Sequence, residues 1–224
     1  MDNIENVTIP FDLYLTFYIA GASNSGKTYF VYKLMKYAKQ LFPRDPPKDI
    51  LYCYSVHQEL YDVMEKEIDN VRFIQGMPSK SDIMSISSID SHSMLILDDM
   101  IHLAASSQLI EDIFLINSHH NKITCALISH NMFNNYSKNR NIVLNCQYTV
   151  IMRNPRAFSQ ISHLGTQMFG KGKAQILYQI YTDIMESSSH GYLIIDLTKN
   201  IDSRFKLRTR IFPSEDPIVY VINT

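Results

Sequence analysis

The residues Gly21-Ala22-Ser23-Asn24-Ser25-Gly26-Lys27-Thr28 satisfy the spacing G-x-x-x-x-G-K-[ST] at every fixed position. The chemistry open to such a stretch is polyphosphate binding. Successive backbone N–H groups of a tight loop that opens onto a helix N-terminus form a concave region of partial positive charge. Gly21 and Gly26 permit backbone angles and close approaches that a Cβ would block. Lys27 can reach the β- and γ-phosphates, the Thr28 hydroxyl can ligate Mg2+, and Tyr29 and Tyr32 lie close enough to touch a nucleotide.

A second stretch supplies carboxylates. Ser93-Met94-Leu95-Ile96-Leu97-Asp98-Asp99 is an apolar run closed by two acids, with Asp98 71 residues beyond Lys27, which is the layout of a Walker B strand. Asp98 is placed to hold Mg2+ directly or through water, because a hard cation takes oxygen ligands beside the phosphates. Asp99 is placed to polarise an attacking water. A third apolar run, Ile123 to Ser129, ends at His130 and Asn131. Ligands of parallel sheets sit beyond the carboxyl ends of the strands, so either side chain can sense a terminal phosphate, and Asn131 can equally cap the next helix.

Positioning these groups requires an alternation of strands and helices. The apolar run from Asp12 to Ala20 predicts a buried strand before the loop, and Phe30, Val31, Leu34, Met35, Ala38 and Leu41 predict a helix over Tyr29 to Leu41 with one buried face. Pro43, Pro46 and Pro47 end it. Short strands follow at Ile50 to Tyr54 and Val71 to Ile74, with a helix at Glu59 to Ile68 between them. The serine-rich stretch from Ser79 to Ser88 reads as a polar loop. Later segments read as helix (Gln108 to His119), strand (Gln147 to Met152), helix (Ile161 to Phe169), mobile basic loop (Gly170 to Lys173), helix (Ala174 to Met185) and strand (Tyr192 to Asp196). Arg204, Lys206, Arg208 and Arg210 alternate with Phe205, Leu207 and Ile211, which predicts a strand with one face buried and a positive stripe on the other. The whole is a doubly wound α/β domain with a mostly parallel sheet, in which the strand following the loop helix is separated from the first by the Walker B strand or its neighbour.

Composition sets the outer limits. A chain of 224 residues with 46% apolar content, 7 glycines and 8 prolines suits a single α/β domain, with a core over about 10–155 and additions over about 156–224. The net charge of −1 hides an asymmetry: residues 1–121 carry 9 Lys and Arg against 16 Asp and Glu, whereas residues 122–210 carry 12 against 4. A basic second half can face nucleic acid or form a solvated positive surface. Cys53, Cys125 and Cys146 lie in or beside apolar runs, odd in number and without zinc spacing, as expected of reduced thiols in an intracellular protein. The adjacent His119 and His120 diverge on a helix and make a poor metal pair. No signal peptide and no membrane span is expected, which points to the cytosol or nucleus.

These strings in their order resemble the viral genome-packaging ATPases of the HerA/FtsK superfamily, the group of the poxvirus, virophage and Polinton-type packaging ATPases. Besides the loop and Leu95-Ile96-Leu97-Asp98-Asp99, the resemblance rests on Asn117 to Ile123 running into Ala126 to Phe133, and on Arg140-Asn141-Ile142, Tyr148-Thr149-Val150-Ile151, Asn154-Pro155-Arg156 and Gln167-Met168-Phe169. It continues through His190-Gly191-Tyr192-Leu193-Ile194-Ile195-Asp196 and Leu207-Arg208-Thr209-Arg210-Ile211-Phe212-Pro213. It implies a P-loop NTPase of the ASCE, RecA/FtsK-like class with antiparallel C-terminal additions. Such a protein binds ATP and Mg2+ and works as a ring, hexameric or pentameric, that drives double-stranded DNA into a capsid at its portal vertex. It would act in the cytoplasm or nucleus of a host cell or with the virion. Two positions depart from the family: His119 stands where an arginine is usual, and His130 where glutamine is usual. The first departure leaves Arg140 or Arg156 as the trans-acting finger, and the second leaves sensing to His130, with Asn131 as substitute. Lys171, Lys173, Arg204, Lys206, Arg208 and Arg210 are the candidates for gripping DNA phosphates.

Two other readings share the loop. A nucleoside-monophosphate kinase would transfer phosphate to a nucleotide acceptor without assembling, and a nucleotide-binding switch would hold ATP without turnover. A GTPase is disfavoured because Asn121-Lys122-Ile123-Thr124 lacks the aspartate that reads guanine.

Overall fold

A computed structural model of the chain describes residues 9–11, 14–87, 90–104, 106–117, 121–131, 137–199 and 202–222, and of 116, 117 and 137–140 the backbone only. The strands are β1 (Thr16–Ala20), β2 (Asp49–Tyr54), β3 (Val71–Gln75), β4 (Ser93–Asp98), β5 (Ile123–Ser129), β6 (Tyr148–Met152), β7 (Tyr192–Asp196), β8 (Leu207–Thr209) and β9 (Ile218–Tyr220). They form one sheet in the order β3-β2-β4-β5-β1-β6-β7-β8-β9. Pairing is parallel from β3 to β6 and antiparallel from β6 to β9. Strand β2 is separated from β1 by both β4 and β5, as the expected crossover required.

Strands buried on both faces must be apolar at odd and even positions alike, and β1, β4 and β5 are. Along each strand successive side chains enter opposite cores. Tyr18, Leu51, Leu95, Leu97, Cys125 and Leu127 join one cluster, while Phe17, Ile19, Tyr52, Ile96, Ala126 and Ile128 join the other. Helices α1 (Lys27–Lys36), α2 (Ala38–Leu41) and α3 (Glu59–Glu67) cover the second. The first is covered by α4 (Lys80–Ile86), α5 (Ile101–Ala104), α6 (Gln108–Asp112), α7 (Ser137–Asn145), α8 (Phe158–Phe169) and α9 (Ala174–Ser187). The three cysteines are buried and free, and burial pushes the Cys53 thiol up to about 12.

Four sequence expectations are corrected. The serine-rich stretch is not a loop over its first part. Ser79 caps α4 by accepting from the Asp82 N–H at 3.2 Å while its own N–H donates to the Asp82 carboxylate at 2.9 Å, and Ile83 and Ile86 bury one face. The helix expected over Gln108 to His119 is α-helical only to Asp112 and continues as a π-helical turn, Ile113–Asn117; His119 and His120 lie outside the described residues. The basic tip before α9 is a 3-10 turn, Lys171–Lys173. The alternating run Arg204 to Arg210 opens on a 3-10 turn, Ser203–Phe205, and is strand only over the three-residue β8, which lies between β7 and β9 and is buried throughout. Asp12 and Leu13, the expected start of the first strand, also lie outside the described residues.

Candidate functional site

Helix α1 begins without the usual help. Its N-cap is Gly26 at φ 95°, no side chain caps it, and no acidic residue occupies its first turn. The first-turn N–H groups and the positive end of the helix dipole therefore face whatever the preceding loop holds, which favours an anion. A residue with a Cβ is strained at that φ, so glycine at 26 follows from the geometry. The Ser25 hydroxyl is buried inside the loop with no hydrogen-bond partner among the described residues.

Above the loop lies a cleft of about 790 Å3, lined by Ser23 to Tyr29 in part, by Asp98, Asp99 and His130, and by Ser55, Val56, Gln58, Leu60 and Tyr61 beyond β2. Strand β5 lies between β1 and β4 and runs parallel to both, so their carboxyl ends deliver the loop, the acid pair and His130 to one place. Lys27 is folded back on the loop: its ammonium donates to the carbonyl oxygens of Gly21 at 2.9 Å and Ala22 at 2.8 Å, and Nδ1 of His130 is 3.4 Å away. On the other side of that ring, Nε2 lies 3.2 Å from Oδ2 of Asp99. An ammonium can only donate, so Nδ1 accepts and the ring proton sits on Nε2, aimed at Asp99. The three side chains form a relay from the loop lysine to the second acid.

Asp98 is 4% exposed, and three hydroxyls converge on its Oδ2: Tyr52 at 2.6 Å, Tyr61 at 3.0 Å and Thr28 at 3.2 Å. Burial pushes its carboxyl above the usual range, the three donors pull it back in part, and the charge of Asp99 adds to the rise. Burial also lowers the Lys27 ammonium from its ordinary value, opposed by the charges of Asp98 and Asp99. A divalent cation would relieve the cost at Asp98, and an anionic phosphate the cost at Lys27. Two cis ligands of an octahedral Mg2+ at ~2.1 Å are ~3 Å apart, and the Thr28 and Asp98 oxygens already meet that separation. Their hard-oxygen chemistry fits the ion.

The expected residues thus divide. Lys27, Thr28, Asp98, Asp99 and His130 are brought together, with Ser23, Asn24 and Gly26 of the loop and half-exposed Tyr29 along the cleft wall. Asn131 contributes its backbone, its carbonyl accepting from Ser129 Oγ at 3.1 Å and from the Tyr18 hydroxyl, and its side chain does not line the cleft. Arg156 is exposed on the turn before α8, and the Arg140 side chain lies outside the described residues. Among the basic candidates, Lys171 is exposed and Lys173 half-buried, while Arg204 is paired with Asp202 at 2.6 Å and Lys206 and Arg210 are half-buried. Arg208 is not on a surface stripe: it is 1% exposed, paired with Asp196 at 3.4 Å, and its guanidinium lies over the rings of Phe11 and Tyr148. Because β8 lies between β7 and β9 and is covered on both faces, its polar position needed a buried counter-charge. Sequence reasoning missed Tyr52 and Tyr61. Tyr52 sits two residues before Tyr54, which is opposite Asp98, a relation visible only once β2 is known to pair with β4.

No protein-family model and no curated protein matches the sequence. Solved structures do. The genome-packaging NTPase B204 of Sulfolobus turreted icosahedral virus 2 in complex with ATP-gammaS superposes with a TM-score of 0.54 at 12% identity, covering 95% of this chain and 100% of that one. The sulfate complex gives 0.54 at 11% identity over 93% and 97%. B204, the DNA-packaging ATPase of Sulfolobus turreted icosahedral virus, gives 0.54 at 11% over 95% and 100%. At this identity the likeness establishes the fold, which is that of a P-loop NTPase with antiparallel C-terminal strands. Among the described residues no helix is long and apolar enough to cross a membrane.

Proposed function

We propose that this chain hydrolyses ATP with Mg2+ and, as a ring of identical subunits, uses the hydrolysis to move double-stranded DNA into a viral capsid. The observation that carries the hydrolytic part is the relay Lys27–His130–Asp99 beside the Thr28–Asp98 pair. The similarity in fold to a packaging NTPase crystallised with ATP-gammaS supports the choice of nucleotide and of task.

The chain's own groups supply the steps. The triphosphate displaces the Lys27 ammonium from the Gly21 and Ala22 carbonyls, and the free α1 N–H groups and the lysine neutralise its charge. Thr28 and Asp98 would hold the Mg2+, which would supply further neutralisation of the phosphate charge. Asp99, oriented by the Nε2 proton of His130, accepts a hydrogen bond from the attacking water and then its proton. An arginine of the adjacent subunit, Arg140 or Arg156, stabilises the transition state, and such a finger is worth about 10³–10⁵ in rate. Lys171 and Lys173 hold DNA phosphates without reading sequence.

The test is ATPase rate against protein concentration, with and without duplex DNA, using Lys27→Ala as control. The motor shows a steep concentration dependence, stimulation by DNA and no turnover in the control. Rate per subunit independent of concentration and of DNA would reject the ring motor, and transfer of phosphate to a nucleoside monophosphate would identify a kinase.

A further inference from the structure

The string His190-Gly191-Tyr192 has no part in the hydrolytic relay, yet its residues brace the surroundings of the phosphate loop. The His190 ring packs on the loop itself, since a Cβ added at Gly26 would lie 3.0 Å from its Cδ2. Gly191 lets β7 begin hard against α9, where a Cβ would lie 2.5 Å from the Ile184 carbonyl oxygen. The Tyr192 hydroxyl accepts from the Ile211 N–H at 2.8 Å and donates to Glu215, which is ion-paired with Lys33 of α1. Arg153 completes the frame: its carbonyl accepts from the Ala22 N–H at 3.0 Å, and its guanidinium donates to the carbonyls of Met185 and Ser188.

This frame encloses space. A cleft of about 360 Å3 lies between the 187–192 segment and the turn from Thr209 to Asp216, and a smaller one of about 110 Å3 lies between that turn and α1. Among the described residues, His190 is the one that lines both of these and the 790 Å3 cleft above the loop. The cleft behind His190 includes neither Asp98, Asp99 nor His130. The γ-phosphate must face Asp99 for hydrolysis, so the α-phosphate and whatever it carries lie away from the acids. The His190 ring is held in place, with Nδ1 3.0 Å from Ser189 Oγ and its backbone N–H on Ser188 Oγ at 3.3 Å.

We propose that His190 and the cleft behind it, walled by Tyr192, Arg210 and Glu215, form the binding site for the nucleoside part of a nucleoside triphosphate, with the His190 ring as its aromatic contact. The proposal rests on the phosphate-loop reading above. A flat ring beside a base contributes by stacking and tolerates replacement by another flat ring.

Calorimetric titration of ATP and of inorganic tripolyphosphate, each with Mg2+, into wild type, His190→Ala and His190→Phe separates the two halves of the ligand. His190 is exposed, so both variants are expected to melt with the wild type. His190→Ala should weaken ATP about tenfold or more and leave tripolyphosphate within about twofold, while His190→Phe keeps ATP affinity within about threefold. Equal losses for the two ligands, or no loss for ATP, would overturn the nucleoside site, and a loss in His190→Phe as large as in His190→Ala would overturn the ring contact. Failure of wild type to bind tripolyphosphate would overturn the phosphate-loop reading and the nucleoside site with it.

Discussion

The imidazole of His130 touches Asp99 through Nε2 at 3.2 Å and turns Nδ1 toward the Lys27 ammonium at 3.4 Å. One ring therefore bridges the loop lysine and the second acid. Asp99 itself sits at φ 56°, in the left-handed region, which turns its carboxylate out of the line of β4. Asp99→Asn should lower turnover by about 10²-fold or more with nucleotide affinity retained, as expected for loss of the group that takes a proton from water. His130→Ala should cost about tenfold or more. His130→Gln, whose amide can accept from Lys27 and donate to Asp99, should recover most of it. Steady-state rates and nucleotide titrations on the same samples decide this, and equal rates for the Ala and Gln variants would remove the relay.

Asp98 gives a prediction with a definite sign. Its carboxyl is raised above the ordinary value by burial, so the native state binds its proton more tightly than the unfolded chain does. Unfolding then releases that proton, and the ligand-free protein loses stability as pH rises from the unfolded value near 3.8 through the native one. Above that window the cost is complete. Asp98→Asn removes it while leaving an amide oxygen for Tyr52 and Tyr61, so its melting temperature should exceed wild type near pH 8, by ~2–4 °C for each kcal/mol regained, and the gap should close toward pH 4. His92, which burial shifts downward, acts in the opposite direction, and comparing the two proteins at each pH cancels it. Thermal melts at several pH values measure the gap, and a variant less stable than wild type at pH 8 would refute the account. The same variant should lose Mg2+-dependent turnover.

What could be read from sequence follows a physical division. The loop, the acid pair and the strand ending at His130 were legible because a parallel sheet buries both faces of its central strands, and the resulting apolar runs leave their polar ends conspicuous. The separation of β2 from β1 was legible from the connection rules of a doubly wound sheet. The partners of those residues were not: Tyr52 and Tyr61 meet Asp98 only through the β2–β4 pairing and the seat of α3, and both look in sequence like ordinary packing residues. Arg208 failed in the opposite sense. Alternating basic and apolar residues describe a half-exposed strand, and nothing local in the sequence tells that β8 lies between β7 and β9 with Asp196 waiting beneath it. The serines of α4 misled because they favour loops and helix caps alike, and only the Ser79–Asp82 reciprocity distinguishes the two.

The Arg208–Asp196 pair carries a stability prediction. Both side chains are almost fully buried, and the Asp196 carboxylate also accepts from Thr198 at 2.6 Å. Removing the arginine alone strands a buried negative charge, so Arg208→Ala should destabilise the fold by about 3–5 kcal/mol. The double variant Arg208→Met with Asp196→Asn removes both charges while keeping an apolar stem against Phe11 and Tyr148, and should regain most of the loss. Denaturant unfolding at constant pH compares the three proteins. A double variant as unstable as Arg208→Ala would show that packing of the guanidinium, and not the stranded charge, sets the cost.

The buried position of Arg208 also narrows the proposal for DNA binding. A buried guanidinium cannot exchange its partner for a phosphate, whereas Lys171 stands exposed on the turn between α8 and α9 and Lys173 half-exposed beside it. Each phosphate contact contributes about 0.9 to the slope of log affinity against log salt concentration. Replacing Lys171 and Lys173 by Gln should therefore reduce that slope by about 2 and weaken duplex binding alike for unrelated sequences. The charge-free pair Arg208→Met with Asp196→Asn should leave slope and affinity as they are. Fluorescence anisotropy with two unrelated duplexes over a range of salt reads both quantities. If the lysine variant kept the wild-type slope, the turn between α8 and α9 would not be the DNA-facing surface, and if the buried double variant lost it, the duplex would be recognised through the β7–β8 region instead.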